Sequence, residues 1–383
     1  MAWIFIAGLA LLLWLVILGL PWRPWSTAEQ LEVATAADSP DLGDITALIP
    51  ARNEAATIAR TLVALNTQGR GLSVIVVDDA SSDSTAQATL DAGIRNLSVL
   101  TSAPLPAGWT GKLWALEQGR KHVCTRFTLL LDADIELAPG ILVALRDKLD
   151  KQSIGLASLM AAPRFDGIWE KLLMPAFVYF FKLLYPFALS NRPHNPVAAA
   201  AGGCILLETR LIEDIGGFGA MRNALIDDCT LARHVKHLGV ATWVGVTHAA
   251  VMLRNYRLRE IWNMVARTAF TQLRYSPLLL AMCSVCLVTA FIVPFVGLVW
   301  GDNPAKFLCI GALTAMLMTY RPTIRYYGLS AAWVTALPLA ATLYLAMTWS
   351  SAWRYWRGQH SSWKGRAYPA VSRTASGDAL PKL

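Results

Sequence analysis

Uncharged apolar runs at both ends of the chain predict membrane segments. Residues 2–20 carry no charge, and at ~1.5 Å per residue a helix of this length approaches the ~30 Å hydrocarbon layer. No Lys or Arg precedes this run, and the nearest small-x-small site, at 34–36, lies well beyond it, which favours an uncleaved anchor over a signal peptide. Towards the other end, residues 278–300 and 328–350 have spanning length, and a shorter run, 307–318, lies between them.

Basic residues surround these later runs and bear on their topology. They are Arg321, Arg325, Arg354, Arg357, Lys364, Arg366, Arg373 and Lys382. Beside membrane spans such charge indicates a cytoplasmic side and contact with anionic lipid, and argues only weakly for nucleic acid. If residue 21 onward is cytoplasmic, three further crossings would put the basic tail, 351–383, outside. We therefore expect two crossings, with 307–318 only half-buried in the bilayer.

The middle of the chain has a different pattern. A polar stretch, 25–43, follows the anchor segment 1–24 and indicates a linker. From residue 44, short apolar runs ("DITALIP", "LSVIVVDD", "LSVL", "FTLLLDADIEL") alternate with helical periodicity ("EAATIARTLVAL", "GKLWALEQGRKH"). This alternation predicts βαβ units, and hence an α/β domain over 44–260 with a mostly parallel sheet flanked by helices.

Carboxylates stand where the predicted strands end. Asp78 and Asp79 end one strand, and Asp132 and Asp134 end another. Ligands of such sheets bind beyond the carboxyl ends of the strands. Residues i and i+2 of a strand share a face, so Asp132 and Asp134 can converge on one Mg²⁺ or Mn²⁺. The alternative is a polar strand end and turn, which an isolated Asp-x-Asp more often is.

Composition and missing motifs exclude several classes. A hydrophobic fraction of 55% and a mean hydropathy of +0.42 are too apolar for an ordinary soluble enzyme. No Gly-x-Gly-x-x-Gly follows the first strand and no Walker loop occurs, which argues against nicotinamide dehydrogenases and P-loop NTPases. The six cysteines suggest no disulfide framework.

Two later segments also carry candidate chemistry. Gly202 and Gly203, before Cys204, could let the backbone approach a substrate. Asp227 and Asp228 open a predicted helix, where an Asp pair is as often an N-terminal cap and dipole partner as a catalytic group.

The ordered motifs resemble a known family. The segments Pro50 to Glu54, "VVDDASSDST", "GKLWAL", "DAD", "GGC", "GGFG" and "DDCTL" are similar to those of family 2 glycosyltransferases of GT-A fold, over roughly residues 44–240. The anchor, the segment "NMVARTAFTQLRY" and the apolar carboxyl-terminal region make the whole chain resemble the hopene-associated glycosyltransferases of bacteria. The Gln-x-x-Arg-Trp motif of processive synthases is altered here to Thr-Gln-Leu-Arg-Tyr, which weakens a processive interpretation.

The resemblance implies roles for particular residues. It places Asp79, Pro50 and Glu54 around the uracil of a UDP-sugar, and Lys112 at its ribose or phosphates. It makes Asp132 and Asp134 the metal motif, with Asp134 the nearer ligand of Mg²⁺ or Mn²⁺.

The same resemblance makes Asp228, next to Asp227, the general base of an inverting transfer. Gly202, Gly203 and Cys204 would form the acceptor-side loop, and Arg267 and Arg274 would hold the pyrophosphate. Lys112 could instead be a solvated surface charge. Arg267 and Arg274 could equally be snorkelling residues beside the bilayer.

The acceptor is expected to arrive from the membrane. Residues 168–190 are aromatic and apolar with two prolines, and predict an interfacial helix whose Lys171 and Lys182 reach anionic lipid. A second interfacial helix is expected around Arg254, Arg257, Arg259 and Arg267, within or just before a region of interfacial and transmembrane helices, 261–350.

The sequence thus predicts a multi-pass enzyme of the bacterial cytoplasmic membrane, with its catalytic domain facing the cytoplasm. It would move a hexose from a UDP-sugar to a lipid acceptor, by resemblance a hopanoid, without a nucleic-acid partner. The alternatives are a polyprenyl-phosphate sugar synthase and a non-catalytic membrane protein that binds nucleotide or lipid.

Overall fold

A computed structural model describes residues 2–33 and 40–359, and the backbone of 362–363 and 366–367. The small-x-small site at 34–36 and the tail residues Lys364, Arg373 and Lys382 lie outside the described residues. The last described pieces, β9 (Ser362–Trp363) and β10 (Arg366–Ala367), pair antiparallel.

A mixed sheet forms the centre of the domain after the linker. In spatial order the strands are β3-β2-β1-β4-β7-β6-β8-β5. They are β1 (Ile45–Ala51), β2 (Ser73–Asp78), β3 (Leu97–Thr101), β4 (Phe127–Leu131), β5 (Ile135–Leu137), β6 (Leu156–Ala162), β7 (Cys204–Glu208) and β8 (Thr242–Met252). The predicted α/β fold is confirmed. The parallel part comprises β3, β2, β1 and β4, together with the β6–β8 pair, while β7 runs antiparallel to β4 and β6, and β5 antiparallel to β8.

Helices cover both faces of this sheet. They are α2 (Ile58–Asn66), α3 (Thr85–Asp91), α4 (Gly111–Arg120), α5 (Ile141–Gln152), α8 (Thr209–Asp214) and α9 (Asp227–His237), with a 3-10 turn at Phe218–Met221. In β4, Leu129 and Leu131 belong to the apolar cluster on one face, and Leu130 to the cluster on the other. The continuous leucine run is therefore buried from both sides, as parallel strands under two helical layers require.

The predicted fourth strand, "FTLLLDADIEL", is in fact two strands. Strand β4 ends at Leu131, and the backbone N–H of Ile135 donates to the carbonyl oxygen of Asp132 at 3.2 Å, which closes a turn. Strand β5 then joins the opposite edge of the sheet beside β8. The prediction that Asp132 and Asp134 share a strand face was wrong, because both lie in this turn.

Four helices within the described residues are long and apolar enough to cross a membrane. The first is α1 (Ala2–Gly19). The second is continuous through α11 (Pro277–Leu287), a π-helical turn (Val288–Ile292) and α12 (Val293–Trp300). The third is α13 (Asn303–Tyr326), and the fourth consists of a 3-10 turn (Ala331–Ala336) that leads into α14 (Leu337–Trp356). The run at 307–318 is part of the 24-residue α13, so the expectation of a short, half-buried piece was wrong about its length.

Helix α6 (Ile168–Leu184), followed by α7 (Phe187–Ser190), joins the sheet domain to the membrane helices. Its Leu173 and Tyr179 are buried in one cluster with Tyr320 of α13 and Tyr344 of α14. Lys182 is only 2% exposed, and its Nζ donates to the carbonyl oxygen of Ser26. The prediction that Lys182 reaches anionic lipid was therefore wrong, because the start of the linker packs over it.

The described part of the linker packs against strand β8. Gln30 forms a bridge with Val246 of β8, and the carboxylate of Glu32 accepts hydrogen bonds from the backbone N–H of His248 at 3.0 and 3.2 Å. Helix α10 (Leu258–Gln272), which follows β8, packs mainly against α14. These contacts connect the sheet domain to the membrane helices at several points.

Candidate functional site

Lys112 joins two acidic segments at the carboxyl end of the sheet. It lies in the first turn of α4, whose N-cap Thr110 accepts from the backbone N–H of Leu113. Its Nζ is 2.9 Å from Asp132 Oδ1 and 3.3 Å from Asp227 Oδ2. Burial lowers the pKa of Lys112, but Asp132 and Asp227 more than offset this and hold it above its usual value. The interpretation of Lys112 as a solvated surface charge was wrong.

Asp228 is held by two backbone amides. Its Oδ2 accepts from the N–H of Gly202 at 2.9 Å, and its Oδ1 from the N–H of Cys229 at 2.7 Å. A Cβ at Gly202 would lie 3.3 Å from Asp228 Oδ2 and 3.5 Å from Lys112 Nζ, so the glycine permits this close approach. Burial, and next the charge of Asp227, raise the pKa of Asp228 to about 6. The carboxylate is thus ionised at neutral pH yet more basic than an exposed aspartate.

The other two residues of the predicted acceptor-side loop have different neighbours. Gly203 lies against Ile135, where an added Cβ would be 3.3 Å from that side chain. Cys204 begins β7, is fully buried, and has a thiol pKa that burial, and next the charge of Asp132, raise to about 12. Gly202 is therefore the member of this loop in direct contact with the predicted base.

Arg254 is a site residue that the sequence did not reveal. Its Nε lies 2.8 Å from Asp134 Oδ2, and its guanidinium also pairs with the carboxylate of Glu54. It lies two residues after the end of β8, and the N–H of the intervening Leu253 donates to the carbonyl oxygen of Asp134 at 2.7 Å. Sequence reasoning put Arg254 with an interfacial helix. The signal it missed was a basic residue at the end of an unrecognised strand.

The loops after β1 and β2 are tied to each other. Asp79 is fully buried, its backbone N–H donates to Ala51 at 2.8 Å, and its Oδ2 is 3.8 Å from the guanidinium of Arg52. Asn53 adopts a left-handed conformation, with φ of 52°, and its Oδ1 accepts from the N–H of Ser82 at 2.9 Å. These two loops carry the residues expected to receive a nucleotide base.

The site residues form two charge clusters and a neighbouring pair. The first cluster contains Lys112, Asp132, Asp227 and Asp228, and a cavity beside it is also lined by Pro50 and Gly202. The second contains Asp134, Arg254 and Glu54, and the pair is Asp79 with Arg52. Arg267 lies half-buried in α10 and Arg274 is exposed just after it, with φ of 52°. The phosphate role of these two arginines stays a prediction.

The carboxylates fit a metal site that a substrate completes. Within the described residues, no three His, Cys, Asp or Glu side chains form a ready-made cage. Asp132 and Asp134 project from one turn, and their charges are close enough that Asp132 helps to raise the pKa of Asp134, after burial. Mg²⁺ is commonly held by one or two carboxylates together with substrate phosphates, which is the donor set available here.

A protein-family model matches the segment that contains most of the site. Residues 46–216 match the family model described as glycosyl transferase family 2. The matched segment is a little under half of the chain. This match covers most of the strands and both clusters except for Asp227, Asp228 and Arg254, which lie beyond it.

Two curated relatives share a shorter segment with this chain. The 4,4'-diaponeurosporenoate glycosyltransferase of Staphylococcus aureus (strain bovine RF122 / ET3-1) is 36% identical over 91 residues, which is 24% of each chain. The protein of the same name from Staphylococcus haemolyticus (strain JCSC1435) is 33% identical over 93 residues, again 24% of each chain. The aligned segment therefore spans about a quarter of the length of these relatives.

A solved structure supports the fold. The mannosyltransferase PcManGT from Pyrobaculum calidifontis, in complex with GDP-Man and Mn²⁺, aligns with a TM-score of 0.54 and 20% identity. The alignment covers 89% of this chain and 99% of the other. This likeness shows a GT-A-like fold, and the narrower resemblance to hopene-associated enzymes stays a prediction.

Proposed function

We propose that this protein is a membrane-bound inverting glycosyltransferase that moves a hexose from a UDP-sugar to the hydroxyl of a lipid. The observation that carries the proposal is the convergence of carboxylates from two distant segments, Asp132 and Asp227, on Lys112, with Asp228 beside them. A structural role alone would not require so many acids around one cation, because like charges repel.

The donor would bind across the ends of β1, β2 and β4. Asp79 would receive the uracil ring, with Pro50 and Glu54 in the same pocket, and Lys112 would stand near the ribose or phosphates. Asp132 and Asp134 would hold Mg²⁺ or Mn²⁺, which neutralises a diphosphate leaving group when bound. In support, the metal-motif turn and Lys112 are already in contact at 2.9 Å.

Asp228 would act as general base. Its two oxygens each accept one backbone N–H, which fixes the carboxylate while leaving lone pairs for the acceptor hydroxyl. A carboxylate with a pKa of about 6 can accept a proton at neutral pH more readily than an ordinary aspartate. The oxygen that loses this proton attacks the anomeric carbon opposite the leaving group, and this direct displacement inverts the carbon.

The acceptor would enter from the membrane side. Helix α6 packs against α13 and α14, so the candidate site belongs to a domain built onto four helices of membrane-spanning character. The curated relatives are named for 4,4'-diaponeurosporenoate, a carotenoid acceptor, which favours an apolar acceptor here. By resemblance the acceptor is a hopanoid, and the domain faces the cytoplasm of a bacterium, where nucleotide sugars are made.

The test is transfer of labelled sugar into lipid. Membranes with the wild-type protein, Asp228→Asn or Asp227→Asn are given radiolabelled UDP-sugars or GDP-mannose, a hopanoid-containing lipid extract, and Mn²⁺ or EDTA. We expect wild-type transfer to require the metal, and Asp228→Asn to lower the rate by about 10³-fold. Asp227→Asn, the matched control, should lower it less.

Other outcomes would redirect the proposal. Loss of transfer in Asp227→Asn with transfer retained in Asp228→Asn would assign the base to Asp227. Label in a polyprenyl phosphate, with little effect of Asp228→Asn, would indicate a polyprenyl-phosphate sugar synthase. No labelled lipid with any donor, from folded protein, would favour a non-catalytic role.

A further inference from the structure

Arg254 bridges two acids that belong to different parts of the proposed donor site. Asp134 comes from the metal-motif turn and Glu54 from the loop after β1. The side chains of Glu54 and Asp134 are 6% and 16% exposed, whereas that of Arg254 is 35% exposed. Arg254 Nε itself is buried against Asp134, but the side chain as a whole is the most exposed of the three. A change of its rotamer would therefore carry the guanidinium towards solvent, while the two acids stay in place.

The backbone on either side of Arg254 is fixed. On one side, the N–H of Leu253 donates to the carbonyl oxygen of Asp134 at 2.7 Å. On the other, the N–H of Tyr256 donates at 2.6 Å to Glu170, a buried carboxylate that also accepts from the N–H of Gly167. Movement of Arg254 would therefore be a change of side-chain rotamer, with the chain itself held in place.

Two cations of the site, Lys112 and Arg254, differ in how easily a metal ion could replace them. Asp132, Asp227 and Asp228 surround Lys112, which is 20% exposed and contacts two of them, so this cation is held from two sides. Arg254 is the more accessible cation, and it lies against the acid that the proposed function makes the nearer metal ligand. A divalent cation that approaches Asp134 would meet the guanidinium on Oδ2.

We infer that Arg254 is a displaceable counter-cation of Asp134, which yields this carboxylate to the divalent metal and then binds the diphosphate of the donor. The inference rests on the proposed function for the identity of the donor. Arg254 would thus have two successive roles: before the metal binds, the guanidinium offsets part of the negative charge of Asp134 and Glu54, and loading of the metal frees it to turn to the incoming phosphates. Guanidinium groups suit this second role because they bind phosphate through two parallel hydrogen bonds.

The test measures metal and nucleotide binding without turnover. The full chain in detergent or nanodiscs is titrated with Mn²⁺, and free Mn²⁺ is followed by electron paramagnetic resonance, for wild type, Arg254→Gln and the control Arg259→Gln. Arg259 is an exposed arginine on the same segment. Without nucleotide, Arg254→Gln should bind Mn²⁺ about fivefold more tightly, since no guanidinium competes, and Arg259→Gln should match wild type.

With saturating Mn²⁺, the same proteins are titrated with UDP, UMP and GDP. Arg254→Gln should bind UDP about tenfold more weakly than wild type, and UMP almost as well, since UMP lacks the second phosphate. Arg254→Lys, which keeps a cation but cannot span both acids, should lie between wild type and Gln in both measurements. It also carries the test if thermal unfolding shows that the Gln variant does not fold.

The outcomes separate this inference from the proposed function. Unchanged Mn²⁺ affinity in Arg254→Gln, or no Mn²⁺ binding by any of the proteins, would overturn the counter-cation role. Tighter Mn²⁺ binding with unchanged UDP affinity would overturn the transfer of Arg254 to the diphosphate. Tighter Mn²⁺ binding in a protein that binds GDP but not UDP would support the counter-cation role while refuting the UDP donor.

Discussion

Lys112 and Lys182 are two largely buried lysines whose surroundings have opposite effects. Lys112 contacts the carboxylates of Asp132 and Asp227, which keep its pKa above the usual value despite burial. Lys182 contacts the carbonyl oxygen of Ser26, and its Nζ lies 5.4 Å from the ring centre of Phe187. Burial lowers its pKa to about 8, although the charge of Glu29 acts in the opposite direction. Burial alone therefore does not distinguish the two lysines, whereas burial among acids is what makes Lys112 the candidate for a functional role.

The largest stability effect should come from Lys112→Met. Removal of the Lys112 ammonium group leaves Asp132 and Asp227 facing each other beside Asp228, with no cation between them. This should destabilise the protein by about 2 kcal/mol in EDTA. Thermal unfolding of detergent-solubilised protein measures this, with Lys112→Arg as the charge-conserving control. Adding Asp132→Asn to Lys112→Met should recover part of the loss, and a double variant no more stable than Lys112→Met would show that repulsion is not the cause.

The acids at the strand ends could be found from the sequence, but the partner of Asp134 and the burial of Lys182 could not. Asp79, Asp132 and Asp134 each follow an apolar run that burial on both sheet faces explains, so local pattern was enough. The position of Arg254 depends on β8 reaching the same edge, and the burial of Lys182 depends on the linker folding back over α6. Contacts between segments more than a hundred residues apart leave no local period in the sequence.

The second prediction is a gain in stability on replacing a buried lysine, whereas the first is a loss. Lys182→Met should stabilise the protein by about 1 kcal/mol at pH 7, because the burial penalty of the charge, roughly 3 kcal/mol at most, exceeds the lost hydrogen bond to Ser26. The folded pKa, about 8, is below the unfolded value of 10.5, so the penalty is complete below pH 8 and disappears as pH rises to 10.5. The advantage of Met should shrink across that window.

Unfolding temperatures between pH 6.5 and 10.5, at roughly half-unit steps, measure this difference. Lys171→Met is the control, since Lys171 lies half-buried on the same helix. A Lys182→Met variant that is less stable than wild type at every pH would mean that the hydrogen bond to Ser26 stabilises the protein by more than the burial of the charge destabilises it.

The third membrane helix shows a different limit of sequence reasoning. The uninterrupted apolar run at 307–318 is bounded by Lys306 and Arg321, and it is too short to span. In the structure α13 continues past both, from Asn303 to Tyr326, so the charged side chains stand near its two ends. Long basic side chains near helix ends can reach the interface, which is why counting only uncharged residues underestimated the helix.

The smallest expected effect concerns an uncharged hydrogen bond on α6, the helix that carries Lys182. The hydroxyl of Tyr179 in α6 lies 2.9 Å from Thr319 Oγ1 in α13, and the Thr319 hydroxyl itself donates to the carbonyl oxygen of Met316. The tyrosine is therefore the donor, and Tyr179→Phe should cost only about 0.6 kcal/mol, because Thr319 keeps its own bond. A cycle with Thr319→Val, read by unfolding temperature, isolates this pair. A coupling as large as the effect of Lys112→Met would mean that neutral contacts between α6 and the membrane helices matter as much as the charges of the site.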